Sequence, residues 1–122
     1  MAQSKLFNDV TFIGMGLIGS SLARVIRRGN LANTITASTR THTSMNKIID
    51  LQLADKVTSN LIEAVSNADL VMICTPLGEY SNIAKTIGPH LKTGSIISDV
   101  GSAKSCAYRD IAPHLSDDVF LI

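Results

Sequence analysis

The chain of 122 residues is long enough for one hydrophobic core, and its 45% hydrophobic and 17% charged residues exclude a disordered protein. A net charge of +1 and the absence of tryptophan give no basis for binding nucleic acid or an anionic membrane. No apolar run reaches membrane-spanning length, and residues 1–8 are too polar for a signal peptide. We therefore expect a soluble, cytoplasmic protein.

The first predicted strand covers residues 9–13 and leads into three glycines with the spacing G-x-G-x-x-G, which are Gly14, Gly16 and Gly19. Apolar residues then recur at helical spacing, at Ile18, Leu22, Val25 and Ile26. This spacing predicts a helix, and Gly29 suits a left-handed cap at its end.

A strand, a glycine turn and a helix in this order are the context of the dinucleotide-binding fingerprint, although a glycine turn in an unrelated α/β unit has the same spacing. Gly14 would make the tight turn, Gly16 would let the backbone approach a pyrophosphate, and Gly19 would let the helix pack closely on the sheet. The amides of Leu17 and Ile18 would face the phosphates at the positive end of the helix dipole.

The rest of the chain alternates between predicted strands and helices. Further strands are predicted at residues 34–39, 56–58, 69–74, 95–99 and 119–122. Helices are predicted at residues 43–52, 60–65, 80–87 and 103–112, the second of them capped by Asn60 with Glu63. This alternation predicts an α/β fold, a Rossmann-type doubly wound parallel sheet of about six strands with helices on both faces.

Ligands of such sheets bind beyond the carboxyl ends of the strands, where we expect segments 14–19, 38–41, 75–78 and 99–102 to meet. The candidate cofactor-binding residues are Gly14, Gly16, Leu17, Ile18, Gly19, Ser38, Thr39, Arg40, Thr41, Thr75, Pro76, Leu77 and Gly101.

The end of the second strand indicates which dinucleotide is bound. NAD-selective folds carry an acidic residue there, whereas this chain has Ser38, Thr39, Arg40 and Thr41. Hydroxyls and a guanidinium would bind a 2′-phosphate through charge-assisted hydrogen bonds. The sequence therefore favours NADP, with NAD as the alternative. If Arg40 has no role in binding, its side chain is expected to be solvated.

Several motifs together resemble the prephenate/arogenate (cyclohexadienyl) dehydrogenases of tyrosine biosynthesis. They are Gly-Met-Gly-Leu-Ile-Gly-Ser-Ser-Leu-Ala at 14–23, Ser-Thr-Arg at 38–40, Cys-Thr-Pro-Leu at 74–77, Pro-His-Leu-Lys-Thr-Gly at 89–94 and Asp-Val-Gly-Ser-Ala-Lys at 99–104. The resemblance extends over essentially the whole chain, and the last motif is the most selective.

This resemblance implies an NAD(P)-dependent oxidative decarboxylation of prephenate or arogenate. Ser102 matches the family serine that hydrogen-bonds near the substrate hydroxyl and the nicotinamide, which makes it the catalytic candidate, although a serine here is also a common helix N-cap. Lys104 is expected to be solvated. Leu53 stands where the family often has a glycine.

The resemblance also implies parts that this chain does not contain. The family's catalytic histidine follows the sixth strand in a Gly-His-Pro motif, but the sequence ends at Ile122. His42, His90 and His114 match no catalytic position. We expect residues 1–122 to be the cofactor-binding domain, inactive alone, of a homodimer whose helical C-terminal domain supplies the substrate site and the dimer interface.

Cys74 and Cys106 are expected to be free thiols that act as small buried hydrophobes, and nothing in the sequence indicates a metal site. Two other functions stay open. One is a domain of a β-hydroxyacid or imine reductase-type dehydrogenase, and the other is a non-enzymatic dinucleotide-binding module.

Overall fold

The structure, a computed structural model, describes residues 5–101 and 104–122, with no side chains described for residues 104–106. Its strands are β1 (Phe7–Ile13), β2 (Ala32–Ser38), β3 (Lys56–Thr58), β4 (Leu70–Ile73), β5 (Ile96–Asp99) and β6 (Phe120–Leu121). Its α-helices are α1 (Gly16–Arg28), α2 (His42–Asp50), α3 (Leu61–Val65), α4 (Tyr80–Ile87) and α5 (Lys104–Ile111). Short 3₁₀ turns lie at Leu77–Glu79, Gly88–His90 and Ala112–His114.

The six strands form one parallel sheet in the order β3-β2-β1-β4-β5-β6. Strand order reverses between β1 and β4, which is the switch point where doubly wound sheets bind ligands. Ile13 is in register with Ser38 on β2 and with Ile73 on β4, so these three strands end side by side. The predicted Rossmann-type fold is confirmed.

Two hydrophobic clusters cover the two faces of the sheet. Helices α1 and α2 pack on one face against Val10 and Phe12, and α3, α4 and α5 pack on the other against Ile13 and Ile73. Successive side chains of β1 thus enter opposite clusters, as the two-residue period of a strand requires. On the second face, the buried Thr11 hydroxyl donates to the Ala64 carbonyl at 2.6 Å, which ties α3 to β1.

The apolar stripe that predicted α1 is buried only in part. Ile18 and Val25 are 55% and 54% exposed, whereas Gly19, Ala23 and Ile26 are buried. The helix lies so near the sheet that small residues fill the contact, and the larger side chains beside them turn outwards. A pattern of large apolar residues does not indicate the part of this face that is formed by glycine and alanine.

The predicted left-handed cap at Gly29 is wrong, because Gly29 keeps a helical φ of −81°. Its amide donates to the Val25 carbonyl at 2.9 Å and so continues the helix, and Asn30 takes the left-handed conformation with φ of 55°. Asparagine tolerates this conformation better than most residues. By contrast, the predicted cap at Asn60 is confirmed, since its side chain accepts a hydrogen bond from the Glu63 amide at 3.0 Å.

Within residues 5–101 and 104–122, no helix combines the length and the apolar character needed to cross a membrane.

Replacing Ile97 with alanine should lower the free energy of unfolding by about 2–5 kcal/mol, because Ile97 is completely buried and alanine leaves a cavity in the second cluster. Ile49→Ala on the exposed face of α2 is the matched control and should change stability by less than about 0.5 kcal/mol. Urea unfolding followed by circular dichroism measures both. Equal effects of the two substitutions would contradict the placement of β5 in the core.

Candidate functional site

Three strand ends are locked together by backbone hydrogen bonds at the carboxyl edge of the sheet. The Gly14 amide donates to the Ser38 carbonyl at 2.7 Å, just past the ends of β1 and β2. On the other side of β1, the Cys74 amide donates to the Ile13 carbonyl at 2.9 Å. The segments that follow β1, β2 and β4 therefore start from fixed, adjacent positions.

The glycine turn between β1 and α1 adopts backbone conformations that suit glycine. Gly14 and Gly16 have φ of 70° and 57°, in the left-handed region. A Cβ on Gly14 would lie 2.8 Å from Thr75 Cγ2, whereas the nearest atom to a Cβ on Gly16 would be the Cys74 carbonyl oxygen at 3.8 Å. Gly14 therefore makes a crowded turn against β4, and Gly16 presents its backbone to an open surface.

Gly19 sits beneath the turn, where α1 contacts the end of β4. A Cβ on Gly19 would lie 3.1 Å from Cys74 Sγ and 3.4 Å from Cys74 Cβ. The close packing expected of this glycine is therefore present. Burial, followed by the nearby charge of Asp99, raises the pKa of the Cys74 thiol to about 11, so this sulfur stays neutral at pH 7 and acts as a packing group.

The first turn of α1 has no cap of its own. Met15 is the N-cap residue, and its side chain accepts no hydrogen bond from the helix amides. The first turn contains no acidic residue. The described part of the chain offers no acceptor to the amides of Gly16, Leu17 and Ile18. The Ser20 hydroxyl donates to the Gly16 carbonyl at 2.6 Å instead of capping the amides. Free amides at the positive end of a helix are a binding site for an anion.

A cleft of about 470 Å³ opens beside this turn, between the end of β2 and the start of α4. Among the described residues, the Thr75 hydroxyl oxygen is buried there without a hydrogen-bond partner. A buried hydroxyl in this state suits a polar ligand group. Of the candidate residues, the cleft is lined by Gly14, Ser38, Thr39, Arg40, Thr41 and Thr75.

A second cleft of about 460 Å³ lies on the other side of segment 39–44, between α1 and α2. Gly16, Leu17 and Thr39 line it together with two basic residues, Arg24 and Lys47. Thr39 and Ser44 contact both clefts. The glycine turn thus lies between two hollows, and the second one has a positively charged wall.

Five candidate residues line neither the first nor the second cleft. Gly19 packs inside, and the others lie at the helix start or along the segments that follow β4 and β5. These four are Ile18, Pro76, Leu77 and Gly101. Ser102 lies outside the described residues.

Glu79 is a residue of the first cleft that the sequence analysis missed. Its carboxylate forms an ion pair with the Arg40 guanidinium, which joins the wall made by the end of β2 to the wall made by the start of α4. The Arg40 side chain is 83% exposed and the Glu79 side chain 30%. Glu79 lies shortly after the fourth strand, in a segment that follows the carboxyl end of that strand. This position in the sequence could have indicated Glu79 as a site residue.

The turn after β5 is held by a buried carboxylate. Asp99 accepts a hydrogen bond from the Tyr80 hydroxyl at 3.0 Å and another from the Gly101 amide at 2.9 Å. Tyr80 is completely buried, and burial together with this hydrogen bond raises the pKa of Tyr80 to about 12. The tyrosine therefore stays a neutral donor to Asp99 at any physiological pH, and the turn leading to residue 102 has a fixed start.

A larger hollow of about 830 Å³ lies against the last turns of α1 and α2, where the Arg27 guanidinium pairs with Asp55 at 3.0 Å. It does not include the glycine turn or the strand ends beyond which doubly wound sheets bind ligands. We therefore place the functional site at the two smaller clefts.

Replacing Gly14 with alanine should lower the free energy of unfolding by about 1–2 kcal/mol, because a side chain at a left-handed φ is strained and this one also meets Thr75. Gly78→Ala is the control, since a Cβ there meets no atom within 4 Å and its φ is not left-handed. Thermal and urea unfolding of both variants measure the difference. Equal stability of the two would show that the glycine turn is not as tight as described.

The relatives of this chain were identified by comparison with known families, proteins and structures. Residues 22–122 match the family described as prephenate dehydrogenase, nucleotide-binding domain. The cyclohexadienyl dehydrogenase of Zymomonas mobilis is 31% identical over 116 residues, which are 95% of this chain and 40% of that protein.

Solved structures of prephenate and arogenate dehydrogenases are also similar to this chain. Prephenate dehydrogenase from Aquifex aeolicus, in complex with hydroxyphenyl propionate and NAD⁺, has a TM-score of 0.84 and 25% identity over 96% of this chain and 41% of its own. Synechocystis arogenate dehydrogenase has a TM-score of 0.79 and 27% identity over 88% of this chain and 38% of its own. The chain thus spans about two fifths of these relatives. The predicted resemblance is confirmed, and the chain belongs to the prephenate dehydrogenase family as its nucleotide-binding domain.

Proposed function

We propose that the full-length protein oxidatively decarboxylates prephenate, arogenate or both with NADP in tyrosine biosynthesis, and that this chain is its cofactor-binding domain. The observation that carries the proposal is the uncapped first turn of α1 beside a cleft lined by the hydroxyl and guanidinium groups at the end of β2. Family membership supplies the class of reaction.

The glycine turn suits a pyrophosphate. The free amides of Gly16, Leu17 and Ile18 are donors at the positive end of the helix dipole, and no acidic side chain in the first turn repels an anion. A side chain at Gly16 would occupy the open space above the turn. The unpartnered Thr75 hydroxyl adds a polar contact between the pyrophosphate and the ribose side of the cleft.

The end of β2 suits an adenosine that carries a 2′-phosphate. Thr39, Arg40 and Thr41 line the first cleft, and charge-assisted hydrogen bonds from a guanidinium are strong ones for phosphate. Arg24 and Lys47 add positive charge in the adjoining cleft. These groups favour NADP, and NAD is the alternative.

A bound dinucleotide would supply a hydride acceptor for oxidation at the substrate ring carbon that bears the 4-hydroxyl, and loss of the ring carboxylate as CO₂ would make the ring aromatic. We assign Ser102 the role of orienting that hydroxyl, because the serine follows the turn that Asp99 holds through Tyr80 and Gly101.

The remaining parts of the proposal concern the full-length protein. A helical C-terminal domain would supply the catalytic histidine, the substrate site and a homodimer interface, and the enzyme would act in the cytoplasm. Alone, the chain would bind the dinucleotide without turnover. A full-length protein that binds NADPH but does not convert prephenate or arogenate would instead be a non-enzymatic dinucleotide-binding module.

Replacing Arg40 with glutamine should weaken NADPH binding by about 10- to 100-fold, because charged hydrogen bonds to the 2′-phosphate are lost. NADH binding should change by less than about 3-fold, since NADH has no charge at this position. Arg28→Gln, at the exposed far end of α1, is the matched control and should alter neither affinity. Titration of the chain with each nucleotide, followed by nicotinamide fluorescence, gives the dissociation constants. Equal losses for NADPH and NADH would argue against recognition of a 2′-phosphate by Arg40.

Replacing Ser102 with alanine in the full-length enzyme should lower kcat by about 10- to 100-fold, because the substrate hydroxyl loses its orienting partner. The dissociation constant for NADPH should stay within about 3-fold of wild type, since the serine is not assigned to the pyrophosphate. Ser81→Ala on the exposed side of α4 is the control. Steady-state assays with prephenate and with arogenate measure kcat and KM, and an unchanged kcat would leave Ser102 as a helix cap alone.

A further inference from the structure

The first cleft contains one acidic side chain among the described residues that line it, and this side chain faces the predicted phosphate-binding arginine. The end of β2 lacks the carboxylate that NAD-selective folds place there. The structure brings a carboxylate to the same place from another strand end, because Glu79 pairs with Arg40 across the cleft. These two residues are 39 positions apart in the sequence.

We propose that Glu79 is a specificity-determining residue, whose carboxylate competes with the 2′-phosphate of the cofactor for the Arg40 guanidinium. The proposal rests on the proposed function, in that this cleft must receive the adenosine end of a dinucleotide. Glu79 thereby reduces the preference for NADP over NAD that Arg40 alone would give.

The two partners differ in how firmly they are held. Glu79 closes a 3₁₀ turn in which its amide donates to the Pro76 carbonyl at 3.0 Å, and the next residue is the buried Tyr80. The backbone that carries the carboxylate is therefore fixed. Arg40 has the longer and more exposed side chain, so it is the partner that can turn from the carboxylate to a phosphate.

Charge decides the effect on each nucleotide. A 2′-phosphate carries between one and two negative charges at neutral pH, so it gains from Arg40 and is repelled by the nearby carboxylate. An adenosine ribose without this phosphate carries no charge to repel, and its hydroxyls can donate to a carboxylate. Because exposed ion pairs are weak and screened by salt, the effect of Glu79 should be moderate and should fall as ionic strength rises.

The test uses the two adenosine halves of the cofactors, so that it reports this cleft and needs no catalysis. Calorimetric titration of the chain with 2′,5′-ADP and with 5′-AMP gives the affinities of wild type and of Glu79→Gln, which has the same size without the charge. Glu79→Gln should bind 2′,5′-ADP about 3- to 10-fold more tightly at low salt. Its affinity for 5′-AMP should stay the same or fall.

The matched control is Glu63→Gln, which removes the same charge from the other glutamate of the chain, on the exposed side of α3. It should leave both affinities unchanged. In an Arg40→Gln background, the gain from Glu79→Gln should shrink, because the carboxylate no longer has a guanidinium to occupy. Thermal unfolding of each variant separates these effects from a change in stability, which would move both affinities together.

One result would refute the competition by Glu79 alone, and another would refute the proposed function as well. If wild type binds 2′,5′-ADP and Glu79→Gln leaves that affinity unchanged or lowers it, the competition by Glu79 is refuted and the proposed function stands. If wild type binds neither 2′,5′-ADP nor 5′-AMP, the cleft does not receive an adenosine, and the proposed function fails together with the inference.

Discussion

The contact between Gly19 and Cys74 sets the distance between the first helix and the sheet. With a Cβ on Gly19 only 3.1 Å from the Cys74 sulfur, a larger residue would push α1 away from the end of β4. That displacement would also move the free amides of the first turn, which begin three residues earlier at Gly16. The position of the anion-binding turn is therefore a consequence of backbone packing, and the neutral Cys74 thiol is part of that packing.

The opposite wall of the site depends on a buried polar contact. Tyr80 begins α4 and reaches Asp99 at the end of β5, and the same carboxylate holds the Gly101 amide. A buried carboxylate is stable only with such partners. One tyrosine thus fixes two features, the start of the turn before residue 102 and the backbone of the adjacent Glu79. These contacts tie the wall of the site to the sheet.

The electrostatics of the first cleft come from opposing charges on separate strand ends. Arg40 follows β2 and Glu79 follows β4, and the arginine is the more exposed of the two. The helix dipole at the glycine turn adds a positive field that is fixed by the backbone. The charge of the backbone is therefore fixed at the glycine turn, whereas the opposing side-chain charges of the cleft lie at the ends of β2 and β4.

The sequence by itself determined the order of the elements, the glycine turn, the cap at Asn60 and the segments that meet at the carboxyl edge. These features follow from local chemistry, such as the left-handed freedom of glycine, the apolar period of each element and the reach of a capping side chain.

Only the tertiary structure decided which face of α1 is buried, that Asn30 takes the left-handed cap, and that Glu79 meets Arg40. Each of these depends on distances between segments that are remote in the sequence. The spacing of helix and sheet selects small residues over large ones, and parallel strands place the ends of β2 and β4 on either side of β1. No pattern within a single segment contains that information.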